Sequence, residues 1–244
     1  MPQYSIIIPA YNEGARLGAT LERVLLYVAE HGWDAELIVV NDGSRDNTPD
    51  LVRARARTNR ELRLIENPGN RGKGYSVRNG MLNAHGEILL FTDADLSSPI
   101  EEASKLFAAI QAGADVAIGS RWLQPDLQTQ RQSLLRQFYG RGFNLALRIL
   151  LGLRFKDTQC GFKAFRRGSA ERLFSMQTIE GWGFDAELLY LADKSGLKIK
   201  EVPVVWSDAV GTRISPLRDG IRMFTEVLAI RWNAFTGKYS QSKV

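Results

Sequence analysis

A single cysteine, Cys160, stands in 244 residues, so no disulfide can close within the chain. That scarcity fits a reducing compartment. No uncharged apolar run approaches the roughly 18–20 residues needed to cross a bilayer. No basic stretch precedes an apolar one at the start; Met1 leads straight into Tyr4-Ser5-Ile6-Ile7-Ile8-Pro9, and no signal peptide is expected. Internal repeats and low-complexity tracts are also missing. These absences predict a chain that is soluble or rests on a membrane surface.

What is present suits a globular α/β protein. Hydrophobic residues make up 44% of the chain and charged ones 24%, enough to bury a sizeable core and too balanced for wholesale disorder. The formal net charge of +5 suits an anionic partner: nucleic acid, membrane surface or phosphorylated substrate. Short apolar runs at 6–9, 37–40, 62–65, 88–92 and 116–118 read as strands. Helical spacing falls between them, as in Leu17, Leu21, Val24, Leu25 and Val28. Asp46-Asn47-Thr48-Pro49 reads as a helix start, and 73–84 and 99–112 read as helices, the latter with Glu101 and Glu102 near its start. Such β-α units imply a mostly parallel, Rossmann-like sheet with helices on both faces.

From 127 to 156 the character changes. Arg131, Arg136, Arg141, Arg148, Arg154 and Lys156 occur with no acidic residue, interleaved with Leu134, Leu135, Phe138, Phe143, Leu147, Ile149 and Leu151. Residues 216–235 carry a second amphipathic helical pattern with Ile221, Phe224, Val227, Leu228 and Trp232. Each segment is either a membrane-surface element or a core-facing helix with a solvated basic face.

Two predicted strands end in carboxylates, at Asp42 and at Asp93-Ala94-Asp95. Ligands of open parallel sheets bind beyond such carboxyl ends. In extended backbone, residues two apart point the same way, so Asp93 and Asp95 can offer two hard oxygen ligands to Mg²⁺ or Mn²⁺. The divalent ion would remove the repulsion between these acids and a diphosphate. The loop Asn67-Pro68-Gly69-Asn70-Arg71-Gly72-Lys73-Gly74 is not a P-loop, because position 67 is not glycine and position 74 is neither serine nor threonine. It either brings backbone amides and Lys73 to a phosphate or sugar, or is a plain β-to-α connection.

Ile-Ile-Ile-Pro-Ala-Tyr-Asn-Glu (6–13), Val-Val-Asn-Asp-Gly-Ser-Arg-Asp-Asn-Thr (39–48), Phe-Thr-Asp-Ala-Asp-Leu (91–96) and Gly119-Ser120-Arg121 together resemble the family 2 glycosyltransferases of GT-A fold. Asp-Thr-Gln-Cys-Gly-Phe-Lys-Ala-Phe (157–165) and Gly-Trp-Gly-Phe-Asp-Ala-Glu-Leu-Leu (181–189) are similar to the dolichyl- or polyprenyl-phosphate β-glucosyltransferases within it. The resemblance implies a GT-A domain over 1–205 and an amphipathic helical segment over 206–244. It implies that Pro9, Tyr11, Glu13, Asp42, Lys73, Asp93, Ala94, Asp95 and Arg121 line the nucleotide-sugar pocket, with Asp42 near the base and Asp95 ahead of Asp93 as metal ligand. Asp157 and then Asp185 are the implied catalytic carboxylates; Asp185 and Glu187 also read as the acidic start of a helix. Arg136, Arg213 and Lys163 are expected at the acceptor phosphate. Lys163 either orients Asp157 or is a surface strand residue. At 211–214, Gly-Thr-Arg-Ile replaces a familial Gly-Ser-Lys-Val; arginine keeps the charge but prefers bidentate geometry.

The expected reaction is inverting transfer of a hexose, glucose from UDP-glucose first, to a dolichyl or undecaprenyl phosphate by a metal-dependent enzyme. The chain would be cytoplasmic and peripherally membrane-associated, with no nucleic-acid partner. Rival expectations are mannosyl transfer from GDP-mannose, a hydroxyl acceptor, and a non-catalytic nucleotide-binding module. Cys160 reads as a packed residue, His31 and His85 as helix-end or surface residues, and Trp182 and Trp206 as either sugar-stacking or buried rings.

Overall fold

The computed structural model describes residues 1–130, 134–207 and 216–240. Among the described residues there are nine strands and eight helices: β1 (Tyr4–Ala10), α1 (Leu17–Glu30), β2 (Ala35–Asn41), α2 (Thr48–Ala56), β3 (Leu62–Glu66), α3 (Lys73–Leu82), β4 (Ile88–Thr92), α4 (Ala103–Gln111) and β5 (Val116–Ser120) come first. Then follow β6 (Gln128–Gln130), α5 (Leu134–Leu151), β7 (Phe162–Arg166), α6 (Arg167–Met176), α7 (Phe184–Lys194), β8 (Ile199–Pro203), β9 (Trp206–Ser207) and α8 (Pro216–Phe235). The predicted helix at 99–112 begins with a 3₁₀ turn, Ile100–Glu102.

The main sheet runs β3-β2-β1-β4-β7-β5-β8. Every pairing in it is parallel except those of β7, which lies antiparallel between β4 and β5. A small parallel pair, β6 with β9, stands beside it.

Period-two alternation divides the core. Ile6, Ile8, Leu37, Val39 and Leu90 face α1 and α4, meeting Leu17, Leu21, Leu106 and Ile110. Ile7, Ile38, Val40, Leu89 and Phe91 face the other way, toward Val77, Met81, Phe174, Phe184 and Leu188. The α3 helix lies close on this second face because it presents Gly80: a Cβ there would come within 2.5 Å of Ile7 Cγ2 and 2.9 Å of Val40 Cγ2. Leu147 and Leu151 of α5 and Val227 and Ile230 of α8 join the same cluster. Both amphipathic segments therefore bury one stripe. Leu145, Ile149, Phe224, Leu228, Trp232 and Phe235 remain exposed. No described helix is long and apolar enough to cross a membrane.

Candidate active site

The carboxyl ends of β1, β2 and β4 open on one side of the sheet. Parallel pairing sets Pro9 beside Val40 and Ala10 beside Asn41, so the loops that follow begin at one level. They are stitched together. Asn12 N donates to Ser44 Oγ (2.9 Å), Glu13 N to Thr48 Oγ1 (2.8 Å) and Gly14 N to Asp46 Oδ2 (3.0 Å). Pro9 is half-buried, Tyr11 is exposed at the rim, and Glu13 pairs with Arg16.

Asp42 is buried and anchors the glycine loop. Its Oδ1 accepts from Asn67 Nδ2 (2.8 Å) and Arg71 N (2.9 Å), and its Oδ2 from Gly72 N (2.8 Å). Gly43 follows with φ +69°, and a Cβ there would meet the Gly69 carbonyl carbon at 2.6 Å. The loop is thus a built cradle that aims Lys73 at the end of β4, where Lys73 Nζ lies 2.5 Å from Asp93 Oδ1.

Asp93 and Asp95 differ in what surrounds them. Asp93 Oδ1 holds Lys73, and its other oxygen lies against Gly161, where any Cβ would clash with it. Asp95 Oδ1 accepts from Ser97 N (3.0 Å), while its Oδ2 lies 3.9 Å from Arg16 Nη1. Leu96 follows at φ +46°, a left-handed conformation uncommon outside glycine that turns the chain sharply after the acidic pair. Ala94 between them is buried. Burial raises the Asp93 pKa, reinforced by Asp95 and Asp185 and opposed by Lys73. Burial works against the Lys73 charge, but Asp93, Asp185 and Asp95 outweigh it and raise its pKa. The two carboxylates are hard oxygen donors of the kind a divalent ion takes beside phosphate oxygens, and the Lys73 ammonium suits the phosphates themselves. Among the described residues no cluster of three metal-ligating side chains forms.

A second charged pair forms across the sheet. Arg121 Nε donates to Asp157 Oδ2 (2.7 Å), Arg121 Nη2 to Oδ1 (2.8 Å) and Arg121 N to Oδ2 (3.0 Å). Asp157 is 1% exposed, and Glu201 fixes its backbone by accepting from Asp157 N (2.8 Å) and Lys156 N (3.0 Å). The guanidinium lies 5.5 Å from the Trp206 ring and 5.8 Å from that of Trp122. Burial opposes charge on Asp157, but Arg121 and the backbone amide hold its carboxyl below the usual range. Both oxygens are engaged, which fits a group that orients Arg121 better than a free base.

This pair carries a pH dependence. A carboxylate with a depressed folded pKa stabilises fully above its unfolded pKa of about 3.9, and that contribution is lost as pH falls through the folded value. Urea unfolding from pH 7 to pH 3 is expected to show the stability of Asp157→Asn falling less steeply than that of the unaltered protein. Glu36 and Asp46, shifted in the same direction, remain in both.

Lys163 corrects the expectation of a surface strand residue. It sits on β7 between β4 and β5 and is fully buried, and its charge helps to lower the Asp157 pKa without a hydrogen bond between the two. Its Nζ binds Asp185 and donates to Cys160 O (2.6 Å), and no surface is left for an acceptor phosphate. Asp185 and Glu187 do open a helix, in the first turn of α7. Glu187 accepts from Thr178 N (3.0 Å), Ile179 N (2.9 Å) and Tyr239 Oη (2.7 Å), a structural role. Arg136 falls within α5, but its side chain is outside the described residues, as is the whole of Arg213. Cys160 is buried, and burial with nearby Asp157 pushes its thiol up to about 11, so it is inert at neutral pH. His31 caps α1, and His85 lies beside Glu36. The sequence carries no signal for Glu201 or Glu226, because no spacing connects either one to its target.

A sequence model of glycosyl transferase family 2 matches residues 5–174. The dolichyl-phosphate beta-glucosyltransferase of Saccharomyces cerevisiae is 34% identical across 98% of this chain and 77% of its own. That of Dictyostelium discoideum is 34% identical across 96% and 75%. Among solved structures, glucosyl-3-phosphoglycerate synthase from Mycobacterium tuberculosis with Mn²⁺, UDP and glucosyl-3-phosphoglycerate superposes with a TM-score of 0.69. It is 23% identical and covers 94% of this chain and 78% of its own, and the likeness is one of fold.

Proposed function

Because the chain belongs to glycosyl transferase family 2, we propose that it transfers glucose from UDP-glucose to a dolichyl or other polyprenyl phosphate, with inversion, at a membrane surface. The observation that carries this reading is the 34% identity to the yeast dolichyl-phosphate beta-glucosyltransferase across 98% of the chain.

Asp95, assisted by Asp93, would hold Mg²⁺ or Mn²⁺ over the donor diphosphate. When bound, the ion supplies Lewis-acid stabilisation of the departing UDP, typically several kcal/mol. Lys73 neutralises Asp93 and approaches the same phosphates. An acceptor phosphate oxygen attacks the anomeric carbon as the bond to UDP breaks, and inversion turns the α-linked donor into a β-linked product. A phosphate monoester with a second pKa of about 6 is largely deprotonated at pH 7, so the step needs no strong base. That suits Asp157, whose oxygens are committed to Arg121. Arg121, oriented in this way, offers its charge to the two anions that must meet.

We assign membrane contact to the outer stripes of α5 and α8, where Leu145, Ile149, Phe224, Leu228 and Trp232 are exposed near Arg148 and Arg231. The segment from 206 onward thus serves as a docking arm on a glycosyltransferase unit spanning 1–205.

Thermal unfolding with UDP, GDP, UDP-glucose and GDP-mannose, each with Mn²⁺, Mg²⁺ or chelator, tests the donor. A ligand at about 100 times its dissociation constant adds roughly 2.7 kcal/mol. A metal-dependent shift with uridine ligands, followed by glucosyl transfer to polyprenyl phosphate in vesicles, is the expected result. A shift with guanosine ligands alone would move the reading to mannose.

A further inference from the structure

The Gly181-Trp182-Gly183 turn stands beside the acidic pair. Trp182 is 37% exposed, and its ring centroid lies 5.2 Å from Lys73 Nζ, the group that holds Asp93. The turn is fastened from outside the sheet. Glu226, from the C-terminal helix α8, accepts from Gly183 N through Oε2 (2.7 Å). Both glycines make room for it: a Cβ at Gly183 would lie 2.9 Å from Glu226 Cβ, and one at Gly181 would clash with Oε1. Gly183 is also the N-cap of α7, so the Glu226 carboxylate meets the positive end of that helix. A glutamate mostly withdrawn from solvent, two glycines shaped around it and one protruding tryptophan form a built arrangement. Two neighbouring contacts, Asn233 Nδ2 of α8 to Thr178 Oγ1 (3.0 Å) and Tyr239 Oη, just beyond α8, to Glu187 Oε1 (2.7 Å), hold the chain on either side of the turn.

We infer that Trp182 is the wall against which the donor's sugar stacks and that Glu226 is the positioning residue that sets this ring. The inference rests on the donor reading above. A hexose presents C–H bonds on one face and hydroxyls at its rim, and an aromatic ring beside a lysine and a carboxylate complements both. In this inference Glu226 is not a ligand of the donor. It acts through the turn, so the helix with the exposed stripe Phe224, Leu228 and Trp232 also sets the donor site. Surface docking and donor geometry therefore share one element.

The test compares Glu226→Ala, Glu226→Gln and Trp182→Leu in the full chain, measuring affinities for UDP and UDP-glucose by calorimetry with Mn²⁺, together with kcat and donor KM. Trp182→Leu is expected to weaken UDP-glucose about tenfold while leaving UDP within about twofold, because only the sugar loses its wall. Glu226→Ala is expected to follow with a similar rise in donor KM, and the double variant to add little beyond either one, since both changes act through one ring. Glu226→Gln, which keeps an acceptor for the Gly183 amide, should recover most of the loss. Glu226→Ala that lowers the melting temperature but leaves the preference for UDP-glucose over UDP intact would overturn the inference. So would single losses that simply add, or an unaltered protein that binds UDP-glucose no better than UDP. If UDP-glucose binds as expected but no transfer to polyprenyl phosphate follows, the acceptor reading fails and this inference stands.

Discussion

Replacing Asp95 by alanine is expected to abolish the metal dependence of UDP binding and to slow transfer by at least about 100-fold, roughly 2.7 kcal/mol of lost transition-state stabilisation. The reason is the division of labour within the acidic pair. Asp93 has one oxygen on Lys73 and the other against Gly161, so its capacity to hold a cation is largely taken. Asp95 commits one oxygen to Ser97 N, while its other oxygen has only Arg16 Nη1 at 3.9 Å, a looser hold than Lys73 has on Asp93. Calorimetry of UDP with Mn²⁺ and with chelator reads the difference directly. Loss of the Mn²⁺ increment in Asp95→Ala, with an unchanged melting temperature, is the expected outcome. An increment that survives would place the ion elsewhere and leave Asp95 as a turn residue held by Ser97. Asp93→Ala should behave differently, because it also releases Lys73 from its counter-ion and thereby changes the charge beside the phosphates.

The donor side was legible because its signals are local. Apolar runs gave the five strands β1 to β5, and acids at two strand ends are readable wherever a parallel sheet is expected. The glycine loop was harder: its role in cradling Lys73 depends on Asp42, 25 to 30 positions upstream, whose hydrogen bonds exist only after β2 and β3 pair. Lys163 was misjudged for a similar reason. In Phe162-Lys163-Ala164-Phe165-Arg166, period two places Lys163 on the face of Phe165, and only the insertion of β7 between β4 and β5 makes that face interior. Glu201 and Glu226 reach their partners from β8 and α8. No periodicity or spacing links residues that meet across such distances. Asp157 is legible only by resemblance, as a carboxylate at the reacting centre; its bidentate hold on Arg121 exists only in the fold and fits an orienting group. The acidic start of α7 was readable, because carboxylates at a helix N-terminus are a local electrostatic preference.

The largest stability effect is expected at Lys163. Lys163→Met fits the volume of the fully buried site but leaves Asp185 charged and unpaired in a nearly closed environment, at a cost of about 3–5 kcal/mol. Lys163→Met combined with Asp185→Asn removes both charges and should recover most of that loss in urea unfolding, since a buried pair is often no more stabilising than neutral residues of its size. Activity should not return with stability. The Asp185 charge helps raise the pKa of both Lys73 and Asp93 and also acts on Arg121, so its removal alters three groups at the proposed donor and acceptor phosphates. A double variant that is stable yet slow would therefore assign the pair to the electrostatics of transfer. Recovery of both stability and rate would make it a packing device that happens to carry charge.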